Sequence, residues 1–145
     1  MSQAKNSNRL FLACLTAIAI LFAGCKDKKD PFVDPGKTAD PQWAITVEND
    51  MSSSMTVVVD VTIPDAEGIL AAFIGEECCG IASSTEGLYM LYISAPEAGS
   101  TVTLKFYSPS LRRIYTAKET LAYKADEIIG SVDSPYTPTW QATRR

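Results

Sequence analysis

The 145-residue chain carries 13 basic and 17 acidic side chains and contains no histidine. An acidic chain without a basic stripe argues against nucleic acid, because that binding needs Lys and Arg to neutralise phosphates. The lack of histidine removes the commonest general base, together with Ser-His-Asp triads, Cys-His pairs and most zinc hydrolase sites. The sequence therefore predicts no catalytic residue, no metal site and no cofactor.

Residues 1–24 have the layout of an export signal. Lys5 and Arg9 give a polar start, and an apolar run follows from Leu10 to Gly24. This run of about 15 residues would span roughly 22 Å as a helix, which is short of the ~30 Å hydrocarbon core of a bilayer. We therefore expect a cleaved signal peptide and not a permanent transmembrane helix.

The apolar run ends in Leu21-Phe22-Ala23-Gly24-Cys25, which resembles the lipobox of bacterial lipoproteins, with Phe22 where Leu is usual. The resemblance implies that Cys25 is linked to diacylglycerol and becomes the first residue after cleavage. Two or three acyl chains, at roughly 0.8 kcal/mol per buried methylene, would anchor the protein stably in a membrane. The alternative is an ordinary secretory signal in which Cys25 is only a cysteine. Removal of residues 1–24 takes away two basic and no acidic side chains, so the net charge moves from −4 to −6.

Residues 25–41 are predicted to be the lipid anchor and a flexible tether. The segment is charged, contains prolines and a glycine, and has neither a strand nor a helix period. Charged residues after a lipidated cysteine resemble the signals that send lipoproteins of Bacteroidetes-type bacteria to the outer face of the outer membrane. We expect an outer-membrane lipoprotein displayed on the cell surface, with the periplasmic face as the alternative.

Residues 42–140 are predicted to form one small antiparallel β-sandwich, Ig-like, with about 7–8 strands, and 141–145 a C-terminal tail. Short β-rich runs alternate with turn residues at intervals of roughly 8 to 15 residues, and no segment has a helical stripe. The clearest strand is 55–63, in which every second residue from Met55 is apolar. The other predicted strands are 69–74, 78–83, 87–95, 100–108, 113–117, 119–124 and 128–132. In strand 100–108, Val102, Leu104 and Phe106 are expected to face inward.

A hairpin is predicted around Gly75 and Glu76, because glycine at the first central position suits a type II′ turn. This turn would pair Phe73 with Cys78. Cys78 is then expected to be a buried apolar residue, with a reactive role as the alternative.

Cys79 would lie on the opposite face of that hairpin, beside Ala72 and Ile81, either exposed or covered. Neighbouring Cα atoms are about 3.8 Å apart, too close for an unstrained Cys78–Cys79 disulfide. Two cysteines without a histidine do not make a zinc site. Cys79 is therefore the candidate free thiol.

Three phrases of the sequence resemble a module of Bacteroidetes-type secreted proteins and lipoproteins. They are Ala71-Ala72-Phe73-Ile74-Gly75-Glu76-Glu77-Cys78-Cys79-Gly80-Ile81-Ala82, Gly87-Leu88-Tyr89 and Tyr123-Lys124-Ala125-Asp126-Glu127-Ile128-Ile129-Gly130. In that module a strand ending Ala-Phe-hydrophobic-Gly turns into Glu-Cys-Arg-Gly. The resemblance covers most of Trp43 to Tyr136 and implies an extracytoplasmic β-sandwich with no catalytic residues to carry over. Cys79 stands at the basic position of the module, which removes one surface contact and adds a thiol.

Tyr107, Tyr115 and Tyr123 are the candidate ligand contacts. We expect them on outward faces, where tyrosines can stack on sugar rings or anchor protein contacts. The alternative is that they cover the edges of the core, while Tyr89, Tyr92 and Tyr136 pack in or along it.

The carboxylate pairs Glu76-Glu77 and Asp126-Glu127 are interpreted as turn residues, and no Asp-x-Asp-x-Asp-Gly calcium loop occurs. The leading hypothesis is a noncatalytic surface module that recognises a glycan or a protein. One alternative is a structural or assembly component of the envelope or of a surface fibre, joined through a strand edge. The other is a hydrolase that uses paired carboxylates.

Overall fold

The structure, a computed structural model, describes residues 37–47 and 53–143. The predicted signal peptide, Cys25 and most of the predicted tether lie outside these residues. Within the described ranges every regular element is a β-strand, and no helix is present that could cross a membrane. The prediction of an all-β fold is confirmed.

Eight strands form a single mixed sheet with the order β7-β1-β4-β3-β2-β5-β6-β8. The strands are β1 Met55–Asp60, β2 Ile69–Ile74, β3 Glu77–Thr85, β4 Leu88–Ile93, β5 Thr101–Ser108, β6 Arg113–Ala122, β7 Ile128–Ile129 and β8 Trp140–Ala142. All neighbouring pairs are antiparallel except β1 and β7, which are parallel. Two separate sheets and a purely antiparallel arrangement are therefore not confirmed.

The sheet curls strongly around its concave face. Strands β3 and β2 lie between β4 and β5, so a flat sheet would separate β4 from β5 by about 14 Å. The rings of Tyr89 on β4 and Phe106 on β5 are nevertheless in edge-to-face contact, with centroids 5.7 Å apart. A single curled sheet thus encloses its own core, where a sandwich would use a second sheet.

The concave face holds the main hydrophobic core. Met55, Val57 and Val59 of β1 are fully buried there, and Val61 and Ile63 continue the same stripe beyond the strand. This confirms the predicted alternation over 55–63. The predicted inward residues of β5 are also confirmed; they are Val102, Leu104 and Phe106.

The hairpin between β2 and β3 turns at Gly75, whose φ of 61° suits glycine at the first position of a type II′ turn. Phe73 pairs with Cys78 as predicted. Beyond that pair the predicted register is wrong, because β3 contains a β-bulge and Ala72 pairs with Gly80. Cys79 is the extra residue of this bulge.

The bulge has two consequences for the neighbouring side chains. Ile81 pairs with Ala71 on the convex face, so it does not lie beside Cys79 as predicted. A Cβ atom at Gly80 would come within 2.5 Å of the Tyr92 carbonyl oxygen, so only glycine fits where β3 approaches β4.

Residues 37–47 cover part of the convex face. The Trp43 ring packs edge-to-face on Phe73 at 5.5 Å, and the Thr46 N–H donates to the Cys78 carbonyl at 3.0 Å. The Thr38 N–H, within the predicted tether, donates to the Arg112 carbonyl at 2.6 Å. Within the described residues, the part of the predicted tether that follows Lys37 is therefore attached to the domain.

The two outer edges of the sheet are joined by the segment between β7 and β8. The Tyr136 N–H donates to the Val58 carbonyl on β1 at 2.8 Å, and the Lys118 N–H on β6 donates to the Thr139 carbonyl at 2.9 Å. Three residues reach at most about 11 Å, so the edges of β1 and β6 come close together here. We call this meeting place the seam.

Candidate functional site

A groove of about 570 Å³ opens at the seam. Its walls come from three parts of the chain: the segment that follows β1, the start of β6, and the segment that leads into β8. The lining residues are Thr62, Ile63, Pro64, Tyr115, Thr137, Pro138, Thr139 and Trp140. We call this the seam groove.

Prolines shape both sides of the seam groove. Pro64 follows the end of the β1 stripe and has no N–H with which to continue a ladder. Pro138 is buried in the short crossing between Tyr136 and Thr139, where its ring fixes φ. The backbone dihedral angles of both walls are therefore restricted even without a ligand.

Glu119 holds the crossing segment in place from β6. Its carboxylate accepts a hydrogen bond from the Thr139 N–H at 2.8 Å. The hydroxyl and the N–H of Thr139 lower the pKa of Glu119, although this side chain is fully exposed. Its charge lies beside the groove and is not part of the lining. Burial raises the pKa of Tyr136, and the charge of Glu119 raises it further.

The lining itself is uncharged and combines aromatic and hydroxyl groups. Trp140 packs at a tilt on Phe106 with ring centroids 6.1 Å apart, so the core supports its indole. The Trp140 Nε1 atom is buried and has no hydrogen-bond partner among the described residues. The hydroxyls of Thr62 and Thr137 are on exposed residues and form no hydrogen bond within the described part of the chain.

The three tyrosines predicted as ligand contacts lie in different places. Tyr115 is half-buried and lines the seam groove, but it pairs with Phe106 and packs against the main core, so its predicted outward position is wrong. Tyr107 is on the outward face, but residues 37–47 cover it, and its hydroxyl donates to the Thr38 carbonyl at 3.5 Å. Tyr123 packs in the main core and is 3% exposed, so its predicted outward position is wrong.

The remaining tyrosines differ from expectation in one case. Tyr89 lies in the core and Tyr136 packs against it, as predicted. Tyr92 is 56% exposed on the convex face, and its hydroxyl donates to the Met90 sulfur at 3.0 Å. The residues of β4 are apolar on both faces, so alternation alone did not identify which face is buried.

The groove residues that sequence reasoning missed are those of the crossing segment, above all Trp140. The predicted domain ended there, and no alternating run marks β8. The only local signal is a tryptophan preceded by Thr137, Pro138 and Thr139, which is an apolar ring in a segment otherwise typical of a surface loop.

The adjacent cysteines lie in two separate clusters. Cys78 packs with Phe73 and Ala71 on the convex face, and Cys79 lies in the main core with 1% exposure. Burial raises the pKa of both thiols, that of Cys79 to about 11. Neither thiol is in a disulfide.

The described residues contain no group of three or more His, Cys, Asp or Glu side chains that could hold a metal ion. Glu76 and Glu77 are exposed at the hairpin turn, and Glu127 forms an i,i+3 ion pair with Lys124 at 3.9 Å. None of these carboxylates lines the seam groove.

No family model, no curated protein and no solved structure matches this chain. The geometry and chemistry of the seam groove are therefore the main structural guide to function.

Proposed function

We propose that the protein is a lipid-anchored, noncatalytic recognition module of a bacterial cell envelope, and that its ligand, a glycan or a protein, binds in the seam groove. The observation that carries the proposal is the pair Tyr115 and Trp140 in an uncharged, open groove bounded by prolines. Aromatic rings supply large contact areas at little cost in side-chain entropy, and they dominate many recognition surfaces.

A preformed groove supports recognition because little has to be ordered on binding. Pro64 and Pro138 restrict the backbone of both walls, and the Glu119–Thr139 hydrogen bond holds the crossing segment on β6. Groups that are already in place reduce the entropic cost of association. The volume also falls within the usual range of ligand pockets, roughly 300–1,000 Å³.

The membrane anchor is supported by the sequence alone. The apolar run that ends at Cys25 and the charged residues that follow it favour a lipoprotein. Thr38, which bonds the Arg112 carbonyl, is 13 positions after Cys25, and a chain of this length can reach up to about 45 Å. Such a tether is long enough for the domain to stand clear of the lipid headgroups.

An assembly role has one specific observation in its favour. Strand β8 pairs with β6 only at Tyr115, Thr116 and Ala117, so residues 120–122 present an unpaired edge within the described structure. An extended strand from another protein could add to that edge. Crosslinking in intact envelopes would detect such a partner. A crosslink that does not depend on the residues of the seam groove would separate this role from ligand recognition.

The anchor is tested by measuring the intact mass of the full-length gene product purified in detergent, together with protease treatment of intact cells. A diacyl or triacyl adduct on Cys25 and cleavage from outside are the expected results. An unmodified chain would overturn the anchor, and protection from protease would place the domain on the periplasmic face.

Recognition is tested by applying the same detergent-solubilised protein to a glycan array and to solubilised envelope proteins. Replacing Tyr115 with alanine should weaken binding at least tenfold, or about 1.4 kcal/mol, because it removes one of the two groove rings. Tyr92→Ala is the matched control, since it removes an exposed tyrosine from the convex face. Equal loss in both variants, or no ligand for the folded protein, would contradict the proposal.

A further inference from the structure

We infer that the seam groove binds a pyranose unit of a neutral saccharide, with a sugar face against Tyr115 and Trp140 and its hydroxyls bonded to the groove threonines. This inference rests on the proposed recognition function and names its ligand class. The charge, the two rings and the hydroxyls of the groove each support it.

The charge of the groove favours a neutral ligand. No lysine or arginine is among the lining residues, so a uronic acid, a sialic acid or a phosphate would find no cation there. The described carboxylate that borders the groove belongs to Glu119, which bonds Thr139. Lys118 is close enough to lower the pKa of Glu119 further, so the border carries both signs of charge, and it is the lack of a cation in the lining that disfavours an anionic sugar.

The two rings fit the apolar faces of a sugar. A pyranose presents C–H groups on one face and hydroxyls around its rim, so it matches an aromatic ring that has polar groups beside it. Tyr115 and Trp140 supply the rings, and Phe106 supports the indole from the core. A supported ring loses little freedom when a ligand stacks on it.

The hydroxyls fit the rim of a sugar. Thr62 and Thr137 are exposed on two different segments that line the groove, and neither hydroxyl bonds another described residue. A threonine hydroxyl both donates and accepts hydrogen bonds, as a sugar hydroxyl does. The third groove threonine, Thr139, is already bonded to Glu119.

A proline-rich peptide is the other ligand that aromatic grooves commonly take. Such a peptide presents backbone carbonyls, and these need donors in the groove. The Trp140 Nε1 atom is buried, so the threonine hydroxyls are the donors that the groove offers. They would serve a peptide carbonyl as well as a sugar hydroxyl, so a peptide is the competing probe in the test.

The test uses saturation-transfer NMR with the full-length protein in detergent micelles. The probes are neutral tetrasaccharides of the glucan, mannan, galactan and chitin series, with trigalacturonate as the acidic probe and a proline-rich decapeptide as the peptide probe. At least one neutral tetrasaccharide should bind, and trigalacturonate should not. Tyr115→Ala should weaken that binding at least tenfold, Thr137→Val severalfold, and Tyr92→Ala less than twofold.

Circular dichroism of each variant establishes that it is folded before binding is compared. Tyr115→Phe keeps the ring and should retain binding, which separates stacking from loss of structure. Absence of binding by every neutral tetrasaccharide, or stronger binding of trigalacturonate, would overturn the inference. If the decapeptide or an envelope protein then bound in a Tyr115-dependent manner, the proposed recognition function would stand with a different ligand. If no Tyr115-dependent ligand were found, the saccharide inference and the proposed recognition function would both be refuted.

Discussion

Replacing Tyr89 with phenylalanine should destabilise the fold although it creates no cavity. The Tyr89 ring is fully buried and packs on Phe106, and the substitution preserves both the burial of the ring and this ring contact. Its hydroxyl donates to the Ala66 carbonyl at 2.5 Å and accepts from the Gly68 N–H at 3.1 Å. The hydroxyl therefore ties the loop between β1 and β2 to the core, and it also bonds the Ser84 side chain on β3; the substitution removes these hydrogen bonds and leaves the ring in place.

The magnitude follows from the two hydrogen bonds to the loop. Each contributes roughly 0.5–1.5 kcal/mol, and the partners left behind are partly buried, so the free energy of unfolding should fall by about 1–3 kcal/mol. For a domain of about 100 residues, each kcal/mol lowers Tm by roughly 4–8 °C.

Urea unfolding followed by circular dichroism measures the effect, and the slope of free energy against urea should stay the same. Tyr92→Phe is the matched control on the same strand. Among the described residues its exposed hydroxyl bonds only the Met90 sulfur, so the change should stay within about 0.5 kcal/mol. A Tyr89→Phe protein as stable as the control would refute the assignment of the hydroxyl as a structural tie.

Two further predictions concern ionisable groups. Because the folded-state pKa of Glu119 is lowered by Thr139, its ionised form stabilises the fold above the ordinary value of 4.5, and this contribution is lost as pH falls through the lowered pKa. Glu119→Gln should therefore be less stable than the wild type at pH 6 in thermal unfolding, and the difference should shrink as pH falls below 4.5; a difference that stays the same at every pH would contradict this. Burial of Cys79, with its pKa of about 11, and of Cys78 should prevent labelling by iodoacetamide at pH 8 until urea unfolds the protein. Peptide mapping that finds either thiol modified in the folded protein would exclude this burial.

The strands that sequence reasoning identified best are those with one clearly polar face. In β5, Lys105 and two threonines alternate with apolar residues, so the period of two identifies the buried face. The turn at Gly75 was equally accessible, because a positive φ at that position requires a residue such as glycine.

The arrangement of the strands was not accessible from the same pattern. Alternation shows that a face is buried but not what covers it, so the same stripes fit a sandwich or one curled sheet. The bulge at Cys79 inserts one residue without any local signal, and it shifts Ile81 to the other face.

Only part of the candidate site could be predicted for a related reason. The sequence names Tyr115 as a contact but places it on the wrong face, because Tyr115 pairs with the inward Phe106 and lines the groove from the concave side. The rest of the groove depends on a crossing segment that touches β1 through Tyr136 and β6 through Thr139. These pairings join residues far apart in the chain, and Trp140 acquires its position only through them.

One short segment, from Tyr136 to Thr139, pairs with β1 and with β6, so the residues from Tyr136 onward are decisive for solubility. A product that stops before Tyr136 would lack the pairings at Val58 and Asp60, and would also leave β6 without β8. Two unpaired strand edges would then be exposed on one molecule, and such edges are templates for aggregation. Loss of the residues from Tyr136 onward would thus add these edges to the short one already open at residues 120–122, and would favour polymerisation through them.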